Sequence, residues 1–294
     1  MTPRYCPSPS YGCIEVRGAD AANFLHAQLS RAVDALDGAF APLAGWHDAR
    51  GRVRALLRVV RRADRWWLVT QSDVVDATAK RLAMFVLRAA VKITPADDVR
   101  VAALLDADDT WLAAHGLATA TRTNGVVARG ELACVRLGSN VWHVIGRRAA
   151  VDGFAPELPR SPEDPSALAE IRLGLPAVGA PLVEHFVAQM LNLDLLDAVS
   201  FDKGCYPGQE VIARVHHLGS VKRRMRRYAS ESAAPPAPGS PVANADGVEV
   251  GEVVRAARAD NGVELLAVVD HTAALSVGGE RLRELPLPYA VPQS

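Results

Sequence analysis

Short β-type runs separated by turn residues constrain the fold of this chain more than any other feature. Residues 41–47, 52–60 and 65–70 are rich in apolar and aromatic side chains. Two turn-type sequences, Asp48-Ala49-Arg50-Gly51 and Arg61-Arg62-Ala63-Asp64, separate these runs. Because tight turns join strands that pair antiparallel, this spacing predicts a three-stranded antiparallel meander.

Helices are predicted on both sides of the meander. A strand-like run at 11–16 is followed by Gly18-Ala19-Asp20 and then by apolar residues at helical spacing, which places Asp20 at the N-cap of a helix. A second helix is predicted to begin at residue 72 or 73. Its apolar face would consist of Val75, Leu82, Phe85 and Val86.

A similar order of elements follows after Val91. We expect strands at 91–93, 99–105, 126–137 and 141–145, with a helix at 111–115. Asn124-Gly125 is a typical hairpin turn and is predicted to join the first of the later strands to its partner. No sequence repeat of fixed period accompanies this order of elements.

The last part of the chain has the pattern of a small all-β unit. A helix is predicted at 166–173, and the proline-rich stretch 235–241 marks a boundary. Beyond it, Asp246-Gly247 and Asn261-Gly262 provide turns beside β-type runs at 248–254 and 263–269. The fold class predicted from these patterns is α+β, with a β-barrel or sandwich at the C-terminal end.

Composition excludes several classes of protein. The 294 residues carry 33 Lys+Arg and 33 Asp+Glu, so the chain is not a globally basic nucleic-acid coat. Its start lacks the apolar run of a signal peptide, and no apolar run approaches the roughly 18 residues that span a bilayer. Four cysteines without a C-x-x-C pair predict neither a disulfide scaffold nor a structural metal site. We therefore expect a soluble, cytoplasmic protein with reduced thiols.

One segment, residues 200–214, has the composition of a reactive site. Lys203 is one of only four lysines and lies two residues before Cys205, and Gly204 and Gly208 flank the thiol. An ammonium turned toward the sulfur would favour the thiolate, which is the reactive form. A helix predicted to begin at Gln209 would add the positive end of its dipole.

A purely structural role for this segment is the competing interpretation. Buried cysteines are usually inert, so Cys205 could be a small buried residue in a tight turn. In that case Tyr206 would fill the core, and Glu210 would be an ordinary acid in the first turn of a helix. The density of Gly, Lys, Gln, Glu and Arg around one thiol supports a functional role equally well.

Lys203-Gly204-Cys205-Tyr206-Pro207-Gly208-Gln209-Glu210, followed by Ala213-Arg214, resembles the signature of the folate-binding YgfZ family. That family is related to the aminomethyltransferase, or T-protein, of the glycine cleavage system. The likeness covers most of the chain, and its weaker matches occur in the expected order. These matches are 18–20 with Phe24-Leu25 and Gln28-Leu29, 47–53, 171–176, 189–194 and 285–289.

The resemblance implies a cloverleaf-like, three-part α+β fold with a central channel. Its parts would be residues 1–95, residues 96–220 with the Cys205 motif, and a C-terminal β-barrel at 221–294. The resemblance further implies that tetrahydrofolate or a derivative binds in the channel. The implied role is the assembly, repair and maintenance of iron–sulfur enzymes, including those that thiolate tRNA, so iron–sulfur client proteins are the expected partners.

The same resemblance argues against aminomethyl transfer. In the T-protein a carboxylate shortly after a glycine-rich turn supports folate chemistry, whereas residues 51–56 of this chain contain no acid. Ala188 replaces a proline that relatives often carry, which is a minor departure. A folate-dependent one-carbon transferase remains an alternative, and it requires a carboxylate in the channel.

Three residues are candidates for contact with a folate. Tyr11 lies where a family member can present an aromatic ring to the ligand, and flat heterocycles stack well on such rings. Arg172 and Arg214 could hold the glutamate tail through a carboxylate fork. The alternatives are that Tyr11 packs on its own domain and that both arginines are ordinary surface residues.

A basic segment, residues 214–227, supports a different hypothesis. No acid occurs between Val211 and Ser230, so an RNA-binding accessory protein is the second candidate function. The phosphate ligands would be Arg223, Arg224, Arg226 and Arg227. Alternatively, the arginines lie on the solvent face of a strand. His216 and His217 are adjacent on a predicted helix and point apart, which argues against a metal site with Cys205.

Overall fold

The computed structural model describes residues 2–8, 10–117, 120–158, 165–218, 221–270 and 274–292. Within these residues the helices are α1 (Ala21–Gln28), α2 (Val75–Ala83), α3 (Asp109–Ala114), α4 (Arg148–Asp152), α5 (Ser166–Arg172) and α6 (Gln209–Leu218). Short 3-10 turns occur at Ser72–Val74, Ala180–Leu182 and Ala188–Leu191.

The strands are arranged in three antiparallel sheets. They are β1 (Arg4–Pro7), β2 (Tyr11–Arg17), β3 (Leu43–His47), β4 (Val53–Arg62), β5 (Arg65–Gln71), β6 (Lys92–Pro95), β7 (Val99–Leu105), β8 (Val126–Arg129), β9 (Leu132–Gly138), β10 (Val141–Arg147), β11 (Arg223–Ser230), β12 (Pro241–Ala243), β13 (Glu249–Ala259), β14 (Gly262–Asp270), β15 (Ser276–Val277), β16 (Glu280–Arg281) and β17 (Arg283–Leu285).

The first sheet contains the predicted meander. Its strand order is β3-β4-β5-β2-β6, so the strands predicted at 41–47, 52–60 and 65–70 are confirmed as consecutive antiparallel neighbours. The core lies between this sheet and helices α1 and α2, where Leu25, Leu57, Leu68 and Leu82 are fully buried. Each such side chain stabilises the fold by about 1.5–3 kcal/mol through removal of apolar surface from water.

Two details of the helices differ from the prediction. Asp20 occupies the N-cap position of α1, but its side chain makes no capping bond; it accepts a 2.7 Å hydrogen bond from the backbone of Ala90. The apolar face predicted for the second helix is wrong at Phe85, because α2 ends at Ala83 and Phe85 is 42% exposed. Val86, also predicted on this face, is partly buried against the core cluster even though it lies beyond the helix.

The second sheet has the order β1-β7-β10-β9-β8. The strand at the N-terminal end, β1, pairs with β7, so the first described residues belong to this sheet rather than to the first. A turn does form at Asn124-Gly125, where Gly125 N donates to the Arg122 carbonyl at 3.0 Å, but its predicted role as the hairpin connection is wrong. The strands β8 and β9 are joined instead at Gly130, which has a φ of +55°, and Glu131. Asn124 instead reaches back to Arg58, as described below.

The third sheet, ordered β16-β15-β12-β13-β14-β11-β17, curls into a half-barrel. The turn predicted at Asn261-Gly262 is confirmed: β13 and β14 pair across it, and Gly262 has a φ of +107°. A separate group of buried apolar residues joins this half-barrel to the rest of the chain. Its members include Leu56, Ile171, Leu191, Ile212, Met225 and Leu266. The three-part division at residues 95 and 220 stays a prediction.

Candidate functional site

Cys205 differs from the other cysteines in its accessibility. Cys6, Cys13 and Cys134 are buried, whereas Cys205 is exposed and free. The interpretation of Cys205 as a buried, inert thiol is therefore wrong. Its loop leads directly into α6, which begins four residues later at Gln209, as the sequence predicts. A thiol in this position is available to a partner molecule.

The Cys205 loop is held by a close contact between two glycines from distant parts of the chain. Gly208 has a φ of +79°, and a Cβ atom there would lie 2.5 Å from the Asp48 carbonyl oxygen and 2.7 Å from the Gly51 Cα. Gly51 has a φ of +74°, and its own Cβ would lie 3.3 Å from the Gly208 oxygen. Only residues without a side chain allow this approach.

Asp48 shapes the turn that meets Gly208. Its Oδ1 accepts backbone hydrogen bonds from Arg50 at 2.9 Å and from Arg52 at 2.8 Å, which closes an Asx turn. His47 lies beneath this turn, with Nδ1 3.3 Å from the Gly51 oxygen. Burial lowers the pKa of His47 to about 4, so the ring is neutral at physiological pH. The specific motif at 203–210 and the weaker sequence match at 47–53 thus form one structural unit.

Lys203 is directed at helix α1. Its ammonium donates hydrogen bonds to the carbonyl oxygens of His26 and, at 2.6 Å, of Leu29, and it lies 5.0 Å from the centre of the Tyr206 ring. Burial lowers its pKa to about 8. A cation at the C-terminal end of a helix is stabilised by the helix dipole. The ammonium was expected to turn toward the Cys205 sulfur. It instead binds the end of α1 and so anchors the loop to that helix.

The other motif residues have distinct environments. Tyr206 is 6% exposed and packs in the core cluster with Ile212, and burial raises its pKa to about 12. Gln209 donates a 3.4 Å hydrogen bond to the carbonyl of Lys203. Glu210 and Arg214 are both exposed on α6. Phe201, just before the motif, stacks on His216 with ring centres 3.7 Å apart.

A second polar cluster lies where the three sheets meet. The carboxylate of Glu170, on α5, accepts hydrogen bonds from the Tyr11 hydroxyl on β2 and from Arg255 on β13. Its other oxygen is 2.8 Å from His143 Nε2 on β10. The aromatic rings of Tyr11 and His143 meet edge to face at 5.1 Å. Each sheet therefore contributes one side chain to a single buried carboxylate.

The electrostatics of this cluster favour a permanently ionised Glu170. Burial alone would raise the pKa of Glu170, but the Arg255 charge and the hydrogen bonds from His143 and Tyr11 lower it well below its usual range. Burial and the neighbouring Glu170 charge raise the pKa of Tyr11, which keeps the phenol protonated. His143 Nδ1 is buried and has no hydrogen-bond partner among the described residues. This nitrogen can therefore form one additional hydrogen bond within the cluster.

A cavity of about 30 Å³ adjoins the cluster. Its polar lining comprises Tyr11, Arg58, Gln71, His143 and Glu170. Arg58 donates to the Ala41 carbonyl at 2.8 Å and to Asn124 Oδ1 at 2.7 Å, and burial lowers its pKa to about 10. Tyr11 also lines an open groove of about 510 Å³ with residues of β1, β7 and α2. Tyr11 therefore lines both the small cavity and the larger groove.

The chain is similar to known proteins over most of its length. No protein-family model matches the chain. The chain is 26% identical over 298 residues to the tRNA-modifying protein YgfZ of Cronobacter sakazakii, across 95% of this chain and 91% of that protein. It is 25% identical to YgfZ of Aliivibrio fischeri, across 91% and 82%, and 27% identical to that of Colwellia psychrerythraea, across 73% and 68%. The chain is thus similar in sequence to proteins named YgfZ.

The structural comparison confirms the predicted fold. The chain superposes on the glycine cleavage system aminomethyltransferase T from Bartonella henselae with a TM-score of 0.75, across 96% of this chain and 84% of that one. The two are 14% identical in sequence, so the likeness concerns the fold alone. This YgfZ relative therefore has the T-protein type of α+β fold.

The two arginines predicted to contact a folate lie away from the cavity lining. Arg172 pairs with Glu264 at 2.8 Å on the half-barrel, and Arg214 is exposed on α6. Sequence reasoning missed the residues that do surround Tyr11: Arg58, His143, Glu170 and Arg255. The nearest sequence signal was Glu170, which directly precedes the family-like stretch 171–176.

The four arginines predicted to bind phosphates are paired with acids that are distant in sequence. Arg223 pairs with Asp270 at 3.1 Å, Arg224 with Asp194 at 2.9 Å, Arg226 with Glu284 at 3.0 Å and Arg227 with Glu264 at 2.6 Å. Of the predicted range 214–227, residues 219 and 220 lie outside the described residues. Arginines with carboxylate partners offer little free charge to RNA phosphates in this YgfZ relative.

Across the described ranges, no group of three or more His, Cys, Asp or Glu side chains is placed to hold a metal ion. In the same part of the chain, no helix is both long enough and apolar enough to cross a bilayer.

Proposed function

We propose that this protein binds a reduced folate at the junction of its three sheets and supports the assembly and repair of iron–sulfur enzymes, including those that thiolate tRNA. The observation that carries the proposal is the buried cluster of Tyr11, His143, Glu170 and Arg255 beside a cavity in a T-protein-type fold. The proposal also draws on the relatives, which are named tRNA-modifying proteins.

The chemistry of the cluster fits a folate. The pterin head of a reduced folate has a flat pyrimidine ring with an amino group and a ring N–H side by side, and an ionised carboxylate such as Glu170 accepts such paired donors. The Tyr11 ring offers an aromatic surface for the heterocycle, and the unpaired His143 Nδ1 offers one more polar contact. Because the Glu170 oxygens already accept from Tyr11, His143 and Arg255, a ligand would replace one of these bonds.

The available volume indicates how a ligand would be accommodated. A cavity of about 30 Å³ has room for water molecules only, whereas the groove of about 510 Å³ that Tyr11 also lines is within the usual range for small-molecule sites. In this proposal, a ligand enters from the groove and displaces the Tyr11 side chain. Binding would therefore exchange the Tyr11–Glu170 hydrogen bond for contacts with the ligand.

The electrostatics favour binding over one-carbon transfer. A carboxylate does line the cavity, as a transferase would require, but the pKa of Glu170 is held far below neutrality. An efficient general base has a pKa near the working pH, and Glu170 is already compensated by Arg255. A folate-dependent transferase thus remains the less well supported candidate.

Cys205 is proposed to act on the iron–sulfur client. It is the exposed thiol, and its loop is fixed on two sides, by Lys203 on α1 and by Gly208 against Gly51. Gln209, Glu210 and Arg214 would shape the surface that a client meets. A rigidly held, exposed thiol is suited to contact a partner repeatedly in the same geometry.

The folate site is tested by calorimetric titration with tetrahydrofolate under anaerobic conditions. We expect saturable binding by the wild type and by Tyr11→Phe, which keeps the ring, and binding about tenfold weaker in Tyr11→Ala, which removes it. Arg172→Ala, at a site away from the cavity, is the matched control and should bind like the wild type. No saturable binding by the wild type up to high micromolar concentration would remove the folate claim.

The thiol is tested separately in cells that lack their own YgfZ. Cys205→Ala should fold with an unchanged unfolding midpoint yet fail to restore thiolated tRNA, measured by mass spectrometry of tRNA nucleosides. Arg172→Ala again serves as the control and should restore it. Full rescue by Cys205→Ala would exclude the role given to the thiol while leaving folate binding unaffected.

A further inference from the structure

An apolar patch is exposed on the first sheet's side of the molecule, directly after α2. It consists of Met84, Phe85 and Leu87, which are 71%, 42% and 90% exposed. Val248, on the distant half-barrel, is the other large apolar side chain with comparable exposure among the described residues. Contiguous exposed apolar residues are uncommon on a monomer and usually mark an interaction surface.

The backbone presents this patch in a fixed geometry. Backbone hydrogen bonds continue beyond α2, from Phe85 N to Leu82 O at 3.0 Å and from Ala89 N to Val86 O at 2.8 Å. Asp20 then holds Ala90 through a 2.7 Å hydrogen bond. Leu87 has a φ of +48°, an unfavourable conformation for leucine, and its side chain points into solvent. These backbone hydrogen bonds therefore fix the segment that exposes the patch.

Unpaired cations surround the patch. No acid occurs at residues 77–96, and two of the four lysines of the chain lie there. Lys80, Arg81, Arg88 and Lys92 are all exposed, and within the described part of the chain none of them forms an ion pair. The arginines at 223–227 differ, since each has a carboxylate partner. The four cations at 80–92 thus keep their positive charge free of carboxylate partners.

We propose that this patch is the docking surface for an acidic protein, which would place apolar side chains against Leu87 and Met84 and carboxylates against the cations. An apolar centre with a charged rim is the usual composition of a protein–protein interface, and complementary charge steers the encounter and fixes its orientation. The proposal does not depend on the folate site.

Two other occupants fit the surface less well. RNA recognition relies on aromatic rings for base stacking, but Met84 and Leu87 are aliphatic, and the Phe85 ring already contacts Trp46 edge-on at 6.4 Å. A membrane-bound helix would offer a long apolar face, whereas the apolar residues of α2, Val75, Ala79 and Leu82, are buried in the core.

The docking surface is connected to the Cys205 loop through direct contacts. Phe85 contacts Trp46, Trp46 pairs with Leu29 in an isolated β-bridge, and the Leu29 carbonyl accepts the 2.6 Å hydrogen bond from Lys203. A chain of three direct contacts therefore links the patch to the residues that anchor the thiol loop.

The surface is tested by photo-crosslinking in the native host. p-Benzoylphenylalanine is introduced at Leu87 and, as the matched exposed control, at Val248. We expect one acidic protein to crosslink at 87 and not at 248. That protein is then identified, purified and titrated calorimetrically against the wild type and two variants. Arg81→Glu/Arg88→Glu and Leu87→Ser should each weaken its binding about tenfold. Replacement of the partner's acidic residues by basic ones should restore binding to Arg81→Glu/Arg88→Glu.

Other outcomes overturn the proposal. The same purified protein is tested against bulk tRNA and against vesicles of phosphatidylglycerol and phosphatidylcholine. Binding of either probe that is lost in Arg81→Glu/Arg88→Glu would assign the surface to RNA or to a membrane. Crosslinking to a second copy of the chain would assign it to self-association. Absence of a crosslink specific to position 87, or unchanged affinity in the variants, would exclude the docking surface.

Discussion

Replacement of Gly208 by alanine is expected to destabilise the protein strongly, because this glycine meets another backbone at close range. Its φ is +79°, and an added Cβ would lie 2.5 Å from the Asp48 carbonyl oxygen, 2.7 Å from the Gly51 Cα and 2.9 Å from the Gly51 nitrogen. All three neighbours are backbone atoms of the turn at 48–51, so none can rotate away. Either the turn or the start of α6 must move.

The magnitude follows from two separate costs. A left-handed conformation costs a residue with a Cβ about 1–2 kcal/mol, and forced overpacking costs about 1–3 kcal/mol. Alanine also lowers the entropy of the unfolded chain, which offsets about 0.4–1 kcal/mol of this loss. We therefore expect Gly208→Ala to lower the free energy of unfolding by about 2–4 kcal/mol.

Gly204→Ala is the matched control within the same motif. Gly204 has no positive φ, and an added Cβ would have no atom within 4 Å. This variant should be neutral or up to about 1 kcal/mol more stable than the wild type. Urea unfolding followed by circular dichroism measures both variants. If they differ from each other by less than about 0.5 kcal/mol, the close contact between Gly208 and Gly51 does not restrict this loop.

Two further predictions concern buried ionisable groups. Since burial lowers the pKa of His47 from 6.5 to about 4, the unfolded chain takes up a proton between these pH values and the folded protein does not. The free energy of unfolding should therefore fall by about 3 kcal/mol as pH drops through this window, and urea titrations should show a smaller fall in His47→Gln. Arg255→Met leaves the buried carboxylate of Glu170 without its cation, which should lower the free energy of unfolding by about 3–5 kcal/mol. If the double variant Arg255→Met/Glu170→Gln recovers none of that loss, the broken ion pair is not its cause.

Much of the local structure was predictable from sequence because it depends on neighbouring residues. Asp48 and Gly51 identify a turn since an Asx side chain bonds backbone groups two to four residues ahead and glycine accepts a positive φ. The strands of the first meander, the hairpin turn at Asn261-Gly262 and the start of α6 at Gln209 follow from the same kind of short-range signal.

The errors arose where a distant residue decided the outcome. Asp20 has the sequence position of a helix cap, but Ala90 takes its carboxylate. Lys203 lies two residues from Cys205, yet the carbonyls at the end of α1 are better partners for a partly buried ammonium because they carry the negative end of the helix dipole. Phe85 continues the apolar spacing of α2, but the helix ends before it.

The sequence by itself determined the α+β class, most turns and strands, and the segment around Cys205, because period, turn chemistry and a specific motif are properties of adjacent residues. The tertiary structure decided which charges are free and which are paired: it neutralised the basic run at 223–227, left the cations at 80–92 exposed, and gathered Tyr11, His143, Glu170 and Arg255 from across the chain. Coulombic and hydrogen-bond energies depend on distance in space, and residues that meet across three sheets carry no sequence spacing by which to recognise them.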